Sequence, residues 1–230
     1  MRSRQEVFIG REKQEILEKS TVAVVGLGGT GHAAAEYLAR AGVSLILADN
    51  DVVERCNMGR QSYGADDVGR LKVVVMEERL SPLTSVESHA VMLSDINIDK
   101  ILSKADIVLD GSDNFGARFL VNDWCVKRGK PFTYTGAIRA EVSFCFWLPG
   151  RPCLRCVFSG KTADDSCEKD GILSPVAAFA GTLSAIEALK HLIGEKPVEG
   201  LVSFDFFESR FEVLKAKGRE GCACSGQGML

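Results

Sequence analysis

Short β-branched runs alternate with amphipathic stretches through the first half of the chain. The segment TVAVV predicts a buried strand at residues 21–25, because glycines follow it at once. A helix is predicted at residues 30–41, with Ala34, Leu38 and Ala41 on one face, and a second strand at residues 43–48. A strand, a glycine turn, a helix and a strand within about 30 residues form a βαβ unit, so a parallel sheet is predicted.

The same alternation continues beyond the first unit. A short charged helix is predicted ahead of it, at residues 12–18. The further predicted helices cover residues 68–80, 96–102 and 115–127, and the further predicted strands cover 86–91, 106–109 and 132–135.

The pattern changes after residue 140. Residues 141–148 (EVSFCFWL) predict a long strand, and residues 201–206 and 209–215 predict a hairpin, so we expect antiparallel strands that extend the parallel sheet. The longest helix is predicted at residues 174–192, where Ser-Pro marks its start. The polar, glycine-bounded stretch 160–171 predicts a mobile loop.

Composition and charge narrow the class of protein. A chain of 230 residues with 46% hydrophobic and 26% charged residues is typical of one large globular domain, with or without an appendage. Lys and Arg number 28 against 31 Asp and Glu, a net charge of −3, which argues against a nucleic-acid partner. We expect no membrane association and a cytoplasmic location, since the amino terminus has no apolar segment. The eight cysteines are then expected to be thiols or metal ligands.

The glycine turn at residues 26–31 (GLGGTG) joins the first strand to the first helix. Its glycines, Gly26, Gly28, Gly29 and Gly31, allow a tight turn and a close approach of phosphate to the helix amino terminus. Asp49 ends the second strand about 20 residues later, where a carboxylate can accept hydrogen bonds from a ribose. The pattern predicts a nucleotide site without specifying the nucleotide.

Charged and polar residues further along favour a triphosphate over a dinucleotide. A triphosphate carries about four negative charges and needs arginine and lysine around it. Candidate residues lie after the second and fourth strands, where the ligand crevice of an open α/β sheet is found. They are Asp51, Asn57, Arg60, Gln61, Lys72, Asp113, Asn114 and Arg118. Two or three carboxylates among Asp49, Asp51 and Asp113 would form a magnesium site.

These segments, in this order, resemble the ThiF/MoeB/HesA family, the bacterial relatives of the adenylation domain of ubiquitin-activating enzymes. The matching stretches are residues 25–31, 49–51, 57–61, 68–72, 110–114 with Arg118, and 152–156. The resemblance implies a doubly wound, mostly parallel, Rossmann-like α/β sheet and a single adenylation domain over residues 1–230. It also implies a homodimer and ATP-dependent adenylation of the carboxyl-terminal glycine of a small ubiquitin-like sulfur-carrier protein ending in Gly-Gly.

The resemblance also implies residue roles. Gly29 and Asp49 would hold the nucleotide, Arg60, Lys72 and Asn57 the phosphates, and Asp113 the magnesium-bound end of the triphosphate. Within an amino-terminal arm of residues 1–19, Arg4 would reach the ATP of the partner subunit, and residues 160–172 would form a mobile crossover loop. Gly59 departs from the family pattern, which usually has Asn or Gln at that position.

The implied reaction needs no general base, because a carboxylate attacking the α-phosphorus of ATP is already ionised at pH 7. The catalytic task is to bring two anions together and to stabilise charge on the leaving pyrophosphate. Arg60, Lys72 and a magnesium ion at Asp113 are the candidate catalytic groups. The histidines, His32, His89 and His191, lie outside the motifs, and we assign them no role.

Two cysteine pairs predict a structural zinc site. Cys153 and Cys156 form C-x-x-C, and Cys222 and Cys224 form C-x-C near the carboxyl terminus, where the family has a second C-x-x-C. The alternative is four thiols without metal. A redox pair is less favoured, because no helix pattern begins at Cys153 to lower its pKa.

The remaining cysteines divide into one candidate and three packing residues. Cys167 lies in the predicted loop, and in some family members a cysteine there links covalently to the carrier after adenylation. Its neighbours Asp164, Asp165 and Glu168 disfavour a thiolate. Cys56, Cys125 and Cys145 are predicted to be core or near-core residues.

Other functions compete with carrier adenylation. An NAD(P)-dependent oxidoreductase would share the glycine turn and Asp49 but would leave Arg60, Lys72 and Asp113 unexplained. A scaffold without turnover is a second alternative, and adenylation of a small-molecule or tRNA-base carboxylate is a third. The sequence does not identify the carrier or its pathway, thiamin, molybdopterin or other, and we expect the sulfur donor to be a separate protein.

Overall fold

The computed structural model describes residues 3–158, 160 and 171–226. Its helices are α1 (Ser3–Ile9), α2 (Arg11–Lys19), α3 (Gly31–Ala41), α4 (Lys72–Leu80), α5 (Ile98–Leu102), α6 (Phe115–Arg128), α7 (Leu154–Val157) and α8 (Ser174–Leu192). Its strands are β1 (Thr21–Val25), β2 (Ser44–Ala48), β3 (Val86–His89), β4 (Ile107–Asp110), β5 (Phe132–Ile138), β6 (Glu141–Trp147), β7 (Leu201–Asp205) and β8 (Arg210–Leu214). Short 3₁₀ helices cover Arg55–Gly59, Ala65–Asp67 and Ala223–Gly226.

The eight strands form one sheet in the order β3-β2-β1-β4-β5-β6-β7-β8. The strands from β3 to β5 pair in parallel, and β6, β7 and β8 continue the sheet with antiparallel pairing. Val25 at the end of β1 is in register with Ala48 of β2 and Asp110 of β4. The carboxyl ends of three strands therefore meet at one edge, and the predicted sheet with its antiparallel extension is confirmed.

Alternate residues of β1 pack on opposite faces of the sheet. Val22 and Val24 belong to a core that includes Leu38 of α3, Met76 of α4 and Ala185 of α8. Ala23 and Val25 belong to a second core, on the face covered by α5 and α6. A parallel strand buried on both faces is apolar throughout rather than alternating, which explains the continuous apolar run at residues 21–25.

Several elements of the structure differ from the predicted ones. Helix α1 lies ahead of the predicted amino-terminal helix, where its Gln5 donates to Gln14 at 2.9 Å. Helix α4 begins at Lys72 rather than 68, because Leu71 is extended and forms a bridge with Val52. Strand β5 runs to Ile138, since β6 pairs along its whole length. Strand β3 ends at His89, two residues early.

The described ranges include no helix that is both long and apolar enough to cross a membrane.

Candidate functional site

The glycine turn lies at the edge where β1, β2 and β4 end. Gly26 donates to the carbonyl of Ala48, and Gly111 donates to the carbonyl of Val25, both at 2.8 Å. A β-carbon at Gly31 would lie 1.8 Å from the carbonyl oxygen of Gly26, so no side chain fits there. The glycines thus allow the turn to fold back against the start of α3, as the sequence predicts.

Asp49 ties this turn to the loop that follows β2. Its Oδ2 accepts from the backbone N–H of Leu27 at 2.5 Å, and its Oδ1 accepts from the N–H of Asp51 at 2.7 Å. Burial raises the pKa of the Asp49 carboxyl, although these two hydrogen bonds oppose the shift. Asp49 is therefore placed beside the glycine turn, as predicted for a nucleotide-binding carboxylate.

Lys72, at the start of α4, is buried and directed at the same edge. Its Nζ lies 2.7 Å from Oδ2 of Asp51, and its backbone N–H donates to the carbonyl of Asp51 at 3.0 Å. This lysine lies close enough to favour the ionised form of Asp49. The structure brings Lys72, Asp49 and Asp51 together.

Arg60 lies beside the glycine turn, next to Gly29. A β-carbon at Gly29 would be 3.6 Å from the Arg60 carbonyl oxygen and 3.9 Å from its Cδ. The exposed Arg60 guanidinium donates to the carbonyl of Cys56 at 3.3 Å. An open cleft of about 320 Å³ borders this arginine, lined by His32, Met58, Gly59, Arg60, Gln61, Ser174, Pro175 and Ala178.

Asn57 and Gln61 are both buried beneath this segment. Oδ1 of Asn57 accepts from the N–H of Glu54 at 2.8 Å, and its carbonyl accepts from the N–H groups of Arg60 and Gln61. Asn57 thus organises the turn that carries Arg60, and the phosphate contact that the resemblance implies for it stays a prediction. Among the described residues, Oε1 of Gln61 has no hydrogen-bond partner.

The loop after β4 approaches the glycine turn through Gly111 and Ser112. Asp113 is exposed, and its Oδ1 accepts from Nδ2 of Asn114 at 3.3 Å. Oδ1 of Asn114 accepts from the N–H of Ala117 at 2.9 Å, so this side chain caps α6. Asp113 is thus the exposed carboxylate of this pair, and it could face a ligand.

Arg118 is buried rather than directed into the crevice. Its Nη2 donates to the carbonyl of Ser112 at 2.9 Å, and its guanidinium lies 4.9 Å from the centre of the Tyr134 ring. In this arrangement Arg118 supports the loop that carries Asp113 from beneath.

In the part of the chain that the structure describes, Asp49, Asp51 and Asp113 do not converge as one group of metal ligands. Asp49 is occupied by two backbone N–H groups, and Asp51 is paired with Lys72. Within the described ranges, the four cysteines form the one group able to hold a metal through three or more ligands. Asp113 remains as the magnesium candidate, which suits an ion held by one or two carboxylates, substrate phosphates and water.

His32 lies at the candidate site, although we assigned it no role from the sequence. It is 6% exposed and borders the cleft beside Arg60. Its ring contacts Gly28 of the glycine turn and the backbone of Ser62. Its position directly after Gly31 was the signal that could have pointed to it. His89 and His191 lie elsewhere, one paired with Glu87 and the other packed on Phe146.

The four predicted zinc ligands converge on one point. Their sulfur atoms all lie within 4.8 Å of one another, and the pairs Cys153–Cys222 and Cys156–Cys224 are each separated by 3.6 Å. Four sulfurs at about 2.3 Å from a tetrahedral zinc would be about 3.8 Å apart. The C-x-C pair therefore reaches the geometry of a structural zinc site despite its shorter spacing.

One reason for disfavouring redox chemistry at this cluster was wrong. A short helix, α7, does begin after Cys153. Burial nevertheless raises the pKa of Cys153, and the other thiols add to the shift. Although burial alone would raise it, hydrogen bonds from the neighbouring cysteines lower the pKa of Cys222 to about 7. Zinc binding requires thiolates, so a bound ion would deprotonate these cysteines.

The other cysteines and Arg4 have different positions. Cys125 and Cys145 are buried, as predicted, but Cys56 is exposed, because the 3₁₀ turn presents it to solvent. Cys167 and residues 161–170 of the predicted loop lie outside the described residues. Arg4 is exposed on α1, whose Gln5 fixes the helix by donating to the carbonyl of Ala41 at 3.2 Å.

Comparisons with known proteins agree with this arrangement. The chain matches the model of the ThiF family over residues 2–225. It is 37% identical over 234 residues to the sulfur carrier protein adenylyltransferase of Thermus thermophilus, covering 95% of this chain and 86% of that protein. It is 35% identical over 225 residues to the molybdopterin-synthase adenylyltransferase of Escherichia coli, covering 93% of this chain and 90% of that protein.

A solved structure shares the fold. The crystal structure of Escherichia coli MccB with MccA-N7isoASN superposes with a TM-score of 0.85 at 23% identity, covering 98% of this chain and 74% of that chain.

Proposed function

This chain belongs to the ThiF family, and we propose that it uses ATP to adenylate the carboxyl-terminal glycine of a ThiS- or MoaD-like sulfur-carrier protein. In this proposal residues 1–230 form a single adenylation domain. The observation that carries it is the placement of Arg60 and Lys72 around one glycine turn at the carboxyl ends of β1, β2 and β4. Two cations at that edge suit a triphosphate better than a dinucleotide.

The proposed step joins two anions. An oxygen of the carrier carboxylate attacks the α-phosphorus of ATP, the bond from that phosphorus to the bridging oxygen breaks, and pyrophosphate leaves with the electron pair. The acyl-adenylate remains. Arg60 and Lys72 would stabilise the charge that builds on the pyrophosphate, which needs fixed donors more than a proton acceptor.

Asp49, bordering the glycine turn, would orient the nucleotide through its remaining lone pairs. Asp51 would release Lys72 when the phosphates enter, because its carboxylate is 59% exposed and water can hydrate it once the pair separates. Asp113 would hold the magnesium ion, whose charge would offset that of the triphosphate. The four cysteines would hold zinc, fixing the carboxyl-terminal segment to the core.

Partners follow from the same proposal. Arg4, on the exposed helix α1, would complete the site of a second copy in a homodimer. A separate protein would supply sulfur to the activated carrier, and a cytoplasmic location remains a prediction from the sequence. Adenylation of a small-molecule or tRNA-base carboxylate is the rival within the same chemistry.

The decisive experiment is isotope exchange between pyrophosphate and ATP in the presence of a panel of carriers ending in Gly-Gly. The proposal expects exchange that depends on magnesium and on one or more carriers, and that is lost when the terminal glycine is removed. Exchange driven by a free carboxylate without any carrier would favour the rival. Tighter binding of NAD than of ATP would contradict both.

A further inference from the structure

The glycine turn is joined to the segment that carries Arg60 by two aromatic side chains that the proposed reaction does not use. We infer that His32 and Tyr63 are positioning residues, which together hold the backbone of the turn in a fixed orientation for ATP. The inference rests on the proposed function, because it assumes that the turn binds phosphate.

His32 contacts both sides of the junction. Its Nδ1 lies 2.8 Å from the carbonyl oxygen of Gly28, and its Nε2 lies 3.2 Å from the backbone nitrogen of Ser62. A carbonyl accepts and an N–H donates, so the two contacts together require a neutral ring with the proton on Nδ1. This histidine therefore bridges the turn and the residue that follows Gln61.

Tyr63 makes the same connection from the other side. Its hydroxyl donates to the carbonyl of Leu27 at 3.1 Å, and its side chain is 4% exposed. The Tyr63 and His32 rings are neighbours, with centres 6.1 Å apart. Two consecutive carbonyls of the turn, those of Leu27 and Gly28, are thus held by adjacent side chains.

The hydrogen bonds to the carbonyls of Leu27 and Gly28 also set the direction of the N–H groups in the same peptide units. In a planar trans peptide the N–H points opposite to the C=O of the same unit. Binding the carbonyls of Leu27 and Gly28 therefore directs the N–H groups of Gly28 and Gly29 away from His32 and Tyr63. Within the described part of the chain, neither of these N–H groups has a protein acceptor. They are available to a phosphate at the start of α3, where the helix dipole adds to the attraction.

The neutral state of His32 is part of this arrangement. Burial lowers the pKa of His32, and the positive charge of Arg79 on α4 lowers it further. The carbonyl of Gly28 and the carboxylate of Glu36 act in the opposite direction and raise it. Arg60 and Tyr63 face His32 from the segment that follows the 3₁₀ turn, and α8 contributes the uncharged Ser174, Pro175 and Ala178. Protonation of Nε2 would place its N–H opposite the backbone N–H of Ser62, and two donors cannot form a hydrogen bond with each other. Loss of that contact should weaken the hold on the turn at acid pH.

The test compares ATP and carrier kinetics in His32→Phe and Tyr63→Phe, each of which keeps an aromatic ring. Each lost hydrogen bond is expected to raise the KM for ATP about fivefold, with the KM for the carrier unchanged. In wild type the KM for ATP should rise only at a pH below the ordinary histidine pKa of about 6.5, because burial lowers the pKa of His32. The KM for ATP of wild type is divided by that of each variant at each pH, which cancels the titration of ATP itself. This ratio should change with pH for His32→Phe, which lacks the titrating ring. For Tyr63→Phe, which keeps His32, the ratio should not change with pH.

Matched controls are Tyr37→Phe, on the exposed face of α3, and His191→Phe, which lies against Phe146. Both should keep wild-type values. Folded His32→Phe and Tyr63→Phe proteins with unchanged KM for ATP would overturn the inference. An equal rise in both KM values, accompanied by a lower Tm, would also overturn it, since that pattern indicates a merely structural role. Failure of the proposed function is distinguishable, because wild type would then show no carrier-dependent exchange at all.

Discussion

Nζ of Lys72 lies 2.7 Å from Oδ2 of Asp51, in a pair whose lysine side chain is 6% exposed and whose aspartate side chain is 59% exposed. A buried ammonium group needs a partner, because leaving it unpaired away from water is costly. Asp51 supplies that partner from the solvent side, where it can be replaced by a phosphate oxygen. The pair therefore holds the Lys72 ammonium group at the edge of the sheet where we propose that ATP binds.

Replacing this lysine tests its part in the reaction. Lys72→Met is expected to lower the kcat of carrier-dependent adenylation by about 100- to 1,000-fold, since one donor to developing charge is typically worth that much. The kcat would be measured from the rate of pyrophosphate release, in reactions stopped at a series of times. The control is Lys104→Met, a surface lysine paired with Glu87. Turnover within a few-fold of wild type in a folded Lys72→Met protein would remove Lys72 from the mechanism.

Metal content tests the cysteine cluster. Protein prepared without chelator should hold about one zinc per chain by elemental analysis, since four thiolates complete a structural zinc site. Cys222→Ser should lose the metal and unfold at a lower temperature, whereas Cys56→Ser, at an exposed thiol outside the cluster, should do neither. Metal-free wild type that unfolds at the same temperature with and without added zinc would argue for four plain thiols.

The buried carboxyl of Asp110 predicts a pH dependence of stability. Its Oδ1 accepts from the N–H of Ser112 at 3.0 Å, while Oδ2 has no partner in the described chain. Burial raises the pKa of Asp110 above its unfolded value, so the folded state holds this proton more tightly than the unfolded state does. The stabilisation is complete below about pH 4 and is lost as pH rises through the raised pKa.

The measurement is the free energy of unfolding of wild type relative to Asp110→Asn, from urea titrations between pH 4 and neutrality. The free energy of unfolding of wild type should fall relative to that of Asp110→Asn as pH rises, because the asparagine of the variant carries no charge that folding would bury. Asp113→Asn, at an exposed carboxyl in the loop that follows β4, serves as the control and should give a flat difference. A flat difference for Asp110→Asn as well would mean that this carboxyl is not desolvated as described.

A substitution at Cys167 distinguishes the adenylation step from any later sulfur transfer. Attack of a carboxylate on phosphorus uses no thiol, so Cys167→Ala should keep carrier-dependent pyrophosphate exchange whatever happens to sulfur transfer afterwards. Exchange and sulfur transfer would be assayed on the same preparation. Loss of exchange in a folded variant that still binds ATP would assign the thiol to adenylation.

The sequence by itself determined the sheet and the location of the site. The continuous apolar run at residues 21–25 predicts a buried strand, and the glycines at residues 26–31 allow a tight turn after it. Such signals are local, since each depends on a few neighbouring residues. The position of a site at strand ends then follows from the parallel topology. Even the cysteine cluster was foreseen, because thiol pairs at close spacing are rare and chemically specific.

Only the tertiary structure decided which polar residues are exposed at the strand ends and which support the backbone. Arg118 and Asn114 belong to the same motif as Asp113, yet one is buried beneath Ser112 and the other caps α6. His32 was assigned no role from the sequence, but the fold places it between Gly28 and Ser62. Those partners are 4 and 30 residues away along the chain. Such contacts depend on how α3 packs against a distant turn, which no local pattern encodes.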